Sequence, residues 1–493
     1  MPKNIVIFSD GTGQGGGLLP DENRSNVYKL FRAARVCPDT RIDPAEQVAF
    51  YDPGLGSTMA GMRIKVGGWR RIYDILSRAT GLGITQNIID CYAAILRVWE
   101  PGDRIYLIGF SRGAYTVRCV AGVLGLCGIP TRGADGAPLR RDPAALNTFA
   151  KEAVKDVYQF GNSVKGDPYR PVRLELAERF RSRYASAAPN DPALANAYPY
   201  FIGVWDTVAA LGLTTGRTLA LAGGLITVIG LLAVVGNLLR AWLFNDRVDA
   251  ASYWWMFLFV FGIGAAAAAV AWLRTYVKFT TKSSRPVLQT LHVTGWRVTF
   301  YDTVLSPYVQ HARHALAIDE NRKDFDRVPW TDTPGKAAEA ATTTRQDGHT
   351  QLIQLWFAGV HSDVGGSYIE NEARLSDIAL AWMVDEATGL PEPLRVDRTM
   401  LNLWPSATGP QHDERKSTVA GWPAWTVWLL TRIWAREELG WKPWVRHVPR
   451  NAPLHSSVLD RFAAPAPGVL HYDVMQPYRP EALRNHTETH HSY

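Results

Sequence analysis

A serine flanked by two glycines lies between a predicted buried strand and a predicted helix. The stretch Arg104-Ile-Tyr-Leu-Ile-Gly-Phe-Ser111-Arg-Gly-Ala contains the pattern Gly-x-Ser-x-Gly in that setting. A nucleophile elbow needs this context, because the serine sits on a strained turn and small neighbours leave room for the flanking strand and helix. The first N–H groups of the helix point towards developing negative charge, which makes the Arg112 N–H a predicted oxyanion donor. The pattern predicts Ser111 as the nucleophile of an acyl transfer.

A carboxylate and a histidine follow this serine at the ends of two later predicted strands. The strand beginning at Tyr200 ends in Asp206, and the strand beginning at Leu352 leads to His361 and a glycine-rich turn. Serine attack needs a base and an acid that orients the base. The order serine, acid, histidine is the one in which α/β-hydrolases place these groups, and sites in parallel sheets form at the carboxyl ends of strands. Ser111, Asp206 and His361 are therefore the predicted catalytic triad.

Three other residues compete for the same roles. His455, in Leu454-His-Ser-Ser-Val458, is a rival base, while Asp302 and Asp363 are rival acids. The choice between His361 and His455 stays open at this point.

The first predicted strand ends in a loop that suits an anion. It runs Phe8-Ser-Asp-Gly-Thr-Gly13, so the N–H of Gly11 or of Thr12 could provide a second oxyanion donor. A phosphate-binding P-loop would require Gly-Lys-Ser/Thr at its end, which is missing. A haloacid-dehalogenase-like phosphotransferase would require an aspartate where this chain has Phe8. The loop thus favours acyl chemistry over phosphoryl transfer.

Candidate site residues at the ends of predicted strands indicate an α/β fold of the α/β-hydrolase type. In this fold, helices flank a mostly parallel sheet. We expect residues 1–216 to form the first part of the catalytic domain, residues 217–274 an inserted transmembrane helical hairpin, and residues 275–493 the second part. The second part includes the Trp-rich stretch Trp422–Trp434, which suits an interfacial helix, an apolar wall near the substrate entrance or a buried core helix.

Two apolar runs predict the hairpin. Residues 219–239 and 253–273 contain no charged side chain, and each run of 21 residues could cross a hydrocarbon core of about 30 Å. The short connection makes the two helices antiparallel, so both ends emerge on the same side of the membrane. Arg217, Arg274 and Lys278 lie on that side, and the positive-inside rule then places the catalytic domain in the cytoplasm.

Composition excludes several other classes of protein. The formal net charge of +7 is spread over 493 residues, and no stretch combines dense Lys and Arg with spaced aromatics, so no nucleic-acid partner is expected. The four cysteines form no ligand cluster, which predicts buried free thiols in a reducing compartment. No signal peptide is expected at the N-terminus, and the proposed chemistry requires no metal and no organic cofactor.

Taken together, the motifs resemble a bacterial α/β-hydrolase domain family that includes type VI secretion phospholipase effectors. The resemblance implies a Ser–Asp–His hydrolase with phospholipase activity, and on the matching positions it selects Ser111, Asp206 and His361. It extends over roughly residues 4–460, apart from the hairpin. The matching stretches are Phe8–Gly13, Tyr51–Ser57, Gly109–Ala114, Val204–Val208, His314–Arg322, Trp356–Gly366 and Leu454–Val458.

The sequence therefore predicts a membrane-anchored serine hydrolase that cleaves carboxylic esters, with phospholipid acyl esters as the expected substrates. The bacterial inner membrane is its expected location, and both a resident enzyme and a secreted effector fit the sequence. Two alternatives stay open: a non-catalytic, membrane-tethered binding module with a hydrolase fold, and an esterase for soluble substrates.

Overall fold

The computed structural model describes most of the chain. The described residues are 2–11, 22–53, 82–161, 167–208, 215–244, 249–293, 304–322, 325, 327–330, 344–414, 425, 428, 444–471 and 474–493. All structural statements below concern these residues.

A six-stranded sheet forms the centre of the molecule. The strands follow the order β6-β5-β4-β3-β1-β2, and every neighbouring pair is parallel. Because β1 has β2 on one side and β3 on the other, the direction of winding reverses between β1 and β3. Their bounds are β1 Asn4–Ser9, β2 Gln47–Asp52, β3 Arg104–Phe110, β4 Pro199–Trp205, β5 His311–Ala317 and β6 Leu352–Phe357.

Helices cover both faces of this sheet. Their bounds are α1 Asn26–Ala34, α2 Leu82–Val98, α3 Arg112–Cys127, α4 Pro143–Lys151, α5 Arg170–Tyr184, α6 Thr215–Phe244, α7 Ala250–Tyr276, α8 His361–Gly365, α9 Arg374–Thr388 and α10 Ser456–Phe462. A π-helix, Glu152–Tyr158, continues α4, and Val287–Thr290 forms one further helical turn. Single 3₁₀ turns cover Arg398–Met400, Glu481–Leu483 and His490–Ser492.

Four small antiparallel pairs complete the regular structure. They join Arg24–Ser25 with Gly366–Tyr368, Ala187–Ala188 with Asp191–Ala195, Val277–Lys278 with His292–Val293, and Val469–His471 with Val474–Gln476.

Alternating side chains of the strands feed two hydrophobic cores. In β1, Ile5 and Ile7 join the core with α2 to α5, whereas Val6 and Phe8 join the core with α1 and α9. Successive side chains of a strand point to opposite faces, and a parallel sheet with both faces covered therefore uses apolar residues throughout. The predicted α/β architecture, a mostly parallel sheet flanked by helices, is confirmed.

Helices α6 and α7 pack against each other as neighbours and include both predicted apolar runs. At their connected ends, the Asn237 side chain donates a hydrogen bond to Ser252 Oγ at 3.0 Å. By length and composition, one described helix could cross a membrane, over Thr227–Phe244, while the apolar part of α7, Ala251–Ala266, is shorter. The two membrane spans and the three-part division of the chain stay predictions.

The segment after α7 returns to the helices that flank the sheet. Glu175 of α5 accepts hydrogen bonds from the Ser283 hydroxyl at 2.8 Å and from the Ser284 N–H at 2.6 Å. Lys282 forms an ion pair with Glu152 at 3.0 Å. These contacts attach the segment after α7 to the side of the molecule that carries α5.

Candidate active site

Ser111 occupies a sharp turn between β3 and α3. Its backbone has φ 56° and ψ −119°, a conformation that a residue with a side chain rarely adopts. A Cβ on Gly109 would lie 2.6 Å from the Gly113 carbonyl oxygen, and a Cβ on Gly113 would lie 1.9 Å from the Ser9 carbonyl oxygen. Both glycines of the motif are therefore required by close backbone packing, and the turn has the form predicted for a nucleophile elbow.

Asp206 follows the neighbouring strand and is fully buried. Its N–H donates to the Ala315 carbonyl at 2.8 Å, and its Oδ1 accepts the Ala317 N–H at 3.1 Å. The residue before it, Trp205, accepts the Ser111 N–H at 3.1 Å. The carboxyl ends of β3, β4 and β5 thus fix Asp206 beside the serine turn.

His361 is the first residue of α8 and lies 2.6 Å, Nδ1 to Oδ2, from Asp206. Its ring packs on Phe110, the residue before Ser111, with ring centroids 4.6 Å apart. The opposite ring nitrogen, Nε2, is buried, and no described residue offers it a hydrogen-bond partner. The structure therefore brings the predicted acid and base into contact and leaves the second ring nitrogen available to a third group.

Arg446 contacts the same carboxylate and was not anticipated from the sequence. Its Nη1 lies 2.6 Å from Asp206 Oδ1 and its Nη2 lies 3.2 Å from Oδ2, and both side chains are fully buried. Burial alone would raise the pKa of Asp206, but the charge of Arg446 and the hydrogen bond from His361 bring it well below its usual range. Asp206 is consequently an anion at any ordinary pH.

Glu320 fixes the backbone of His361. Its Oε2 accepts the His361 N–H at 3.1 Å, and its carboxylate receives two hydrogen bonds from Arg322, at 2.7 and 2.9 Å. Burial would raise the pKa of Glu320, yet the hydrogen bonds and charge of Arg322 lower it. Glu320 belongs to the matching stretch His314–Arg322, for which the sequence indicated no role. The structure places Glu320 in contact with the first residue of α8.

The three predicted oxyanion donors differ in what the structure shows. The Arg112 N–H is the first of α3, directly after Ser111. Gly11 lies beside the serine, since a Cβ on it would stand 3.4 Å from Ser111 Cβ, but its N–H donates to Asp10 Oδ1 at 2.7 Å. Thr12 lies outside the described residues. Of the two described donors, the Gly11 N–H is engaged by Asp10, and the Arg112 N–H stays the predicted oxyanion donor.

Two buried carboxylates end β1 and β2 next to the serine turn. Asp10 accepts hydrogen bonds from the Ser25 hydroxyl at 2.5 Å and the Tyr51 hydroxyl at 2.8 Å, and burial raises its pKa to about 6. Asp52 accepts from Ser9 at 2.7 Å, and burial raises its pKa to about 7. Both aspartates lie in stretches that match the family motifs, but their burial could not be predicted from the sequence.

The rival residues have other partners. His455 caps α10, accepting the Ser457 N–H at 3.3 Å, and its ring stacks on Phe357 with centroids 4.7 Å apart. Asp363 accepts the Val360 N–H at 3.0 Å and pairs with His412 at 2.7 Å. Asp302 lies outside the described residues.

No group of three or more His, Cys, Asp or Glu side chains in the described part of the chain could hold a metal ion. The four cysteines are free thiols, three of them buried.

A family model matches residues 3–241 and 271–386, which is most of the chain. Its description is T6SS, phospholipase effector Tle1-like, catalytic domain. The chain belongs to this family. The resemblance seen in the sequence motifs is thereby confirmed. The part between the two matched ranges is the connection and most of α7.

Individual relatives are more distant. An uncharacterized protein of Saccharomyces cerevisiae is 23% identical over 419 residues, which cover 78% of this chain and 57% of the relative. The chain therefore spans little more than half the length of that relative.

Two solved structures show only a loose likeness. A crystal structure of an uncharacterized protein from Pseudomonas aeruginosa gives a TM-score of 0.34 at 16% identity, covering 82% of this chain and 48% of the other. The Vlm2 thioesterase domain, solved with a bound dodecadepsipeptide, gives a TM-score of 0.24 at 12% identity, covering 79% and 97%. TM-scores of this size do not establish a shared fold.

Proposed function

We propose that this Tle1-like protein is a serine hydrolase of the α/β-hydrolase type that cleaves the acyl esters of phospholipids. The observation that carries the proposal is the imidazole of His361. One ring nitrogen is held by the anionic Asp206 at 2.6 Å, and the other is buried without a partner among the described residues, beside the turn that presents Ser111. The contact with Asp206 is the half of a triad that orients the base, while Nε2 makes no hydrogen bond to Ser111 Oγ in the structure, so this second contact is part of the proposal.

In the proposed mechanism, His361 Nε2 takes the proton of the Ser111 hydroxyl as Oγ attacks the ester carbonyl. Asp206 keeps the proton on Nδ1 and stabilises the imidazolium that forms. Collapse of the tetrahedral intermediate returns the proton to the leaving alcohol, here a lysophospholipid, and leaves an acyl-serine. Water, deprotonated by His361, then releases the fatty acid and restores Ser111.

The oxyanion is the second requirement of this mechanism. The N–H of Arg112, at the start of a 16-residue helix, supplies one donor together with the positive end of the helix dipole. A second donor would come from the loop after β1. The Gly11 N–H is the nearest candidate there, and it would have to turn away from Asp10 when substrate binds.

The membrane location of the enzyme is part of the same proposal. Helix α6 exposes large apolar side chains along its described length, and the connected ends of α6 and α7 expose aromatic rings. Trp242 is 79% exposed and Trp255 is 72% exposed. Such a surface suits lipid, and Trp in particular suits the interface between lipid and water. Insertion of this hairpin would bring the site to its substrate. Both a resident enzyme of the inner membrane and a secreted effector satisfy this arrangement.

Fatty-acid release from mixed phospholipid vesicles tests the proposal. We expect detergent-purified wild-type protein to release fatty acid and Ser111→Ala to release none above background. Ser186→Ala is a matched control, because Ser186 is also buried and its hydroxyl donates to the Cys127 carbonyl, away from the site.

A fluorophosphonate, which labels activated serines, separates the alternatives. Labelling of Ser111 together with cleavage of short soluble esters but not of vesicles would identify an esterase for soluble substrates. No labelling and no hydrolysis would identify a binding module with a hydrolase fold.

A further inference from the structure

Two side chains contact the Asp206 carboxylate, whose Oδ1 also accepts the Ala317 N–H. His361 occupies Oδ2 from one side, while the planar guanidinium of Arg446 contacts both oxygens from the other. Arg446 is itself held by the Ala317 carbonyl at 2.9 Å and the Phe325 carbonyl at 2.5 Å. A two-pronged contact of this kind fixes the plane of the carboxylate as well as its position.

The other charged groups around His361 are already neutralised in pairs. Glu320, which accepts the His361 N–H, is paired with Arg322. Asp363, on the same helix as His361, is paired with His412. His314 faces Asp206 from β5, but burial and then Arg118 lower its pKa to about 3, so it is uncharged. Arg446 is therefore the group that balances the charge of Asp206.

We propose that Arg446 is a positioning residue of this hydrolase, which aims Asp206 at His361 and balances the buried charge of Asp206. This inference rests on the proposed function. Buried charges interact strongly because little water screens them. An unbalanced Asp206 anion would stabilise the imidazolium form of His361, and the imidazolium cannot accept the Ser111 proton. With Arg446 in place, the charge of the Asp206 carboxylate is balanced, and His361 Nδ1 still donates its orienting hydrogen bond to Oδ2.

The pH dependence of Ser111 labelling by a fluorophosphonate tests the inference. In Arg446→Met and Arg446→Gln, which remove the charge, we expect the acidic limb of the rate profile to move about one pH unit upwards, with labelling at the acidic end about tenfold slower. Arg446→Lys keeps the charge but loses the fork. Its acidic limb should stay at the wild-type position while its plateau rate falls several-fold.

Arg173→Met is the matched control. Arg173 is also a buried arginine with a two-pronged contact to an aspartate, Asp167, at 3.0 and 2.5 Å, but it lies on α5. A merely structural contribution from a buried arginine would be lost in both variants, whereas the shift of the acidic limb should occur only at position 446.

The outcomes separate this inference from the proposed function. A wild-type protein that is never labelled contradicts the proposed function. A labelled wild type with folded Arg446→Met or Arg446→Gln variants that keep its acidic limb overturns the inference alone. Should neither neutral variant fold, Arg446→Lys decides: an unmoved limb with a lower plateau supports the inference, and a shifted limb or an unchanged plateau refutes it.

Discussion

At the scale of single residues, the turn at Ser111 depends on two neighbouring residues that have no side chain. Ser111 itself carries an unfavourable backbone conformation, and the two glycines of the motif allow α3 to approach the ends of β1 and β3. A Cβ on Gly113 would overlap the Ser9 carbonyl, and backbone atoms cannot move aside as the tip of a side chain can. The strain at Ser111 is held in place by this packing.

Gly113→Ala should therefore lower the free energy of unfolding by more than about 3 kcal/mol, because overpacking against backbone costs more than ordinary crowding. Gly11→Ala is the comparison. Its Cβ would come no closer than 3.3 Å to Phe110, so the protein should fold within about 1 kcal/mol of the wild type. Its labelling by a fluorophosphonate should slow, because the new methyl group narrows the space beside Ser111. Urea unfolding and labelling rates check both variants, and equal stability of the two would contradict the steric argument.

The two candidate bases give a second prediction. His361→Ala should lower the turnover of an ester by at least about a thousandfold, since the serine loses its proton acceptor. His455→Ala should leave turnover within the same order of magnitude and cost about 1 kcal/mol of stability, because His455 caps a helix. Ester hydrolysis and thermal unfolding distinguish them, and a reversed pattern would transfer the role of base to His455.

The residues of the candidate site differ in how far the sequence could predict them. Ser111, Asp206 and His361 each follow a buried strand within a recognisable local pattern, so their convergence could be expected from strand order. Arg446 has no such pattern, and it lies 240 residues from Asp206. Its role depends on where the chain returns after the last strand, which local sequence does not encode. The same holds for the Gly11 N–H, which the sequence suggested as a free donor and which donates to Asp10.

At the scale of elements, the sheet and the hairpin illustrate the same division. Continuous apolar runs such as Ile105–Phe110 predict buried parallel strands, because both of their faces must be covered. The two-residue strand Arg24–Ser25 could not be predicted, since it exists only by pairing with Gly366–Tyr368, which is distant in the sequence. Helices α6 and α7 both follow the predicted apolar runs. Apolar length alone, however, does not show whether lipid or protein covers their exposed side chains.

Lysine substitutions on α6 test whether lipid covers this helix. Leu231, Val235 and Leu239 are 62%, 52% and 52% exposed and lie at helical spacing on one face. Their combined replacement by lysine should abolish flotation with phospholipid vesicles, because each charge costs about 3 kcal/mol in a membrane centre. Hydrolysis of a soluble ester should persist. Trp404→Lys, at an equally exposed apolar position outside the hairpin, is the control. Undiminished flotation of the triple variant would exclude α6 as the membrane contact.

At the scale of the whole molecule, the buried carboxylates make stability depend on pH in opposite directions. The pKa of Asp206 is lowered on folding, so its contribution is present above its unfolded pKa and is lost as pH falls. The pKa of Asp52 is raised to about 7, so the folded protein binds an extra proton between about pH 4 and pH 7. The stabilisation that Asp52 contributes is complete below about pH 4 and declines as the pH rises to about 7.

Asp52→Asn should remove that decline. Relative to the wild type, the variant should gain stability as pH rises from about 4 to about 7, by at most about 4 kcal/mol, because it cannot ionise. Urea unfolding at several pH values measures the difference. Asp103→Asn serves as a control, since Asp103 pairs with Lys3 and is remote from this cluster. A constant difference between Asp52→Asn and the wild type would show that Asp52 stays ionised in the folded protein.

The long separation between Asp206 and Arg446 also bears on how the protein is made. Translation delivers Ser111 first, then Asp206 and His361, and only much later Arg446. A nascent chain that ends before residue 446 would have to bury the Asp206 charge without its counter-charge, which is strongly unfavourable. The site therefore assembles only when the C-terminal part of the chain has folded onto the sheet. In the proposed enzyme, an unfinished chain would therefore carry Ser111 without an active triad.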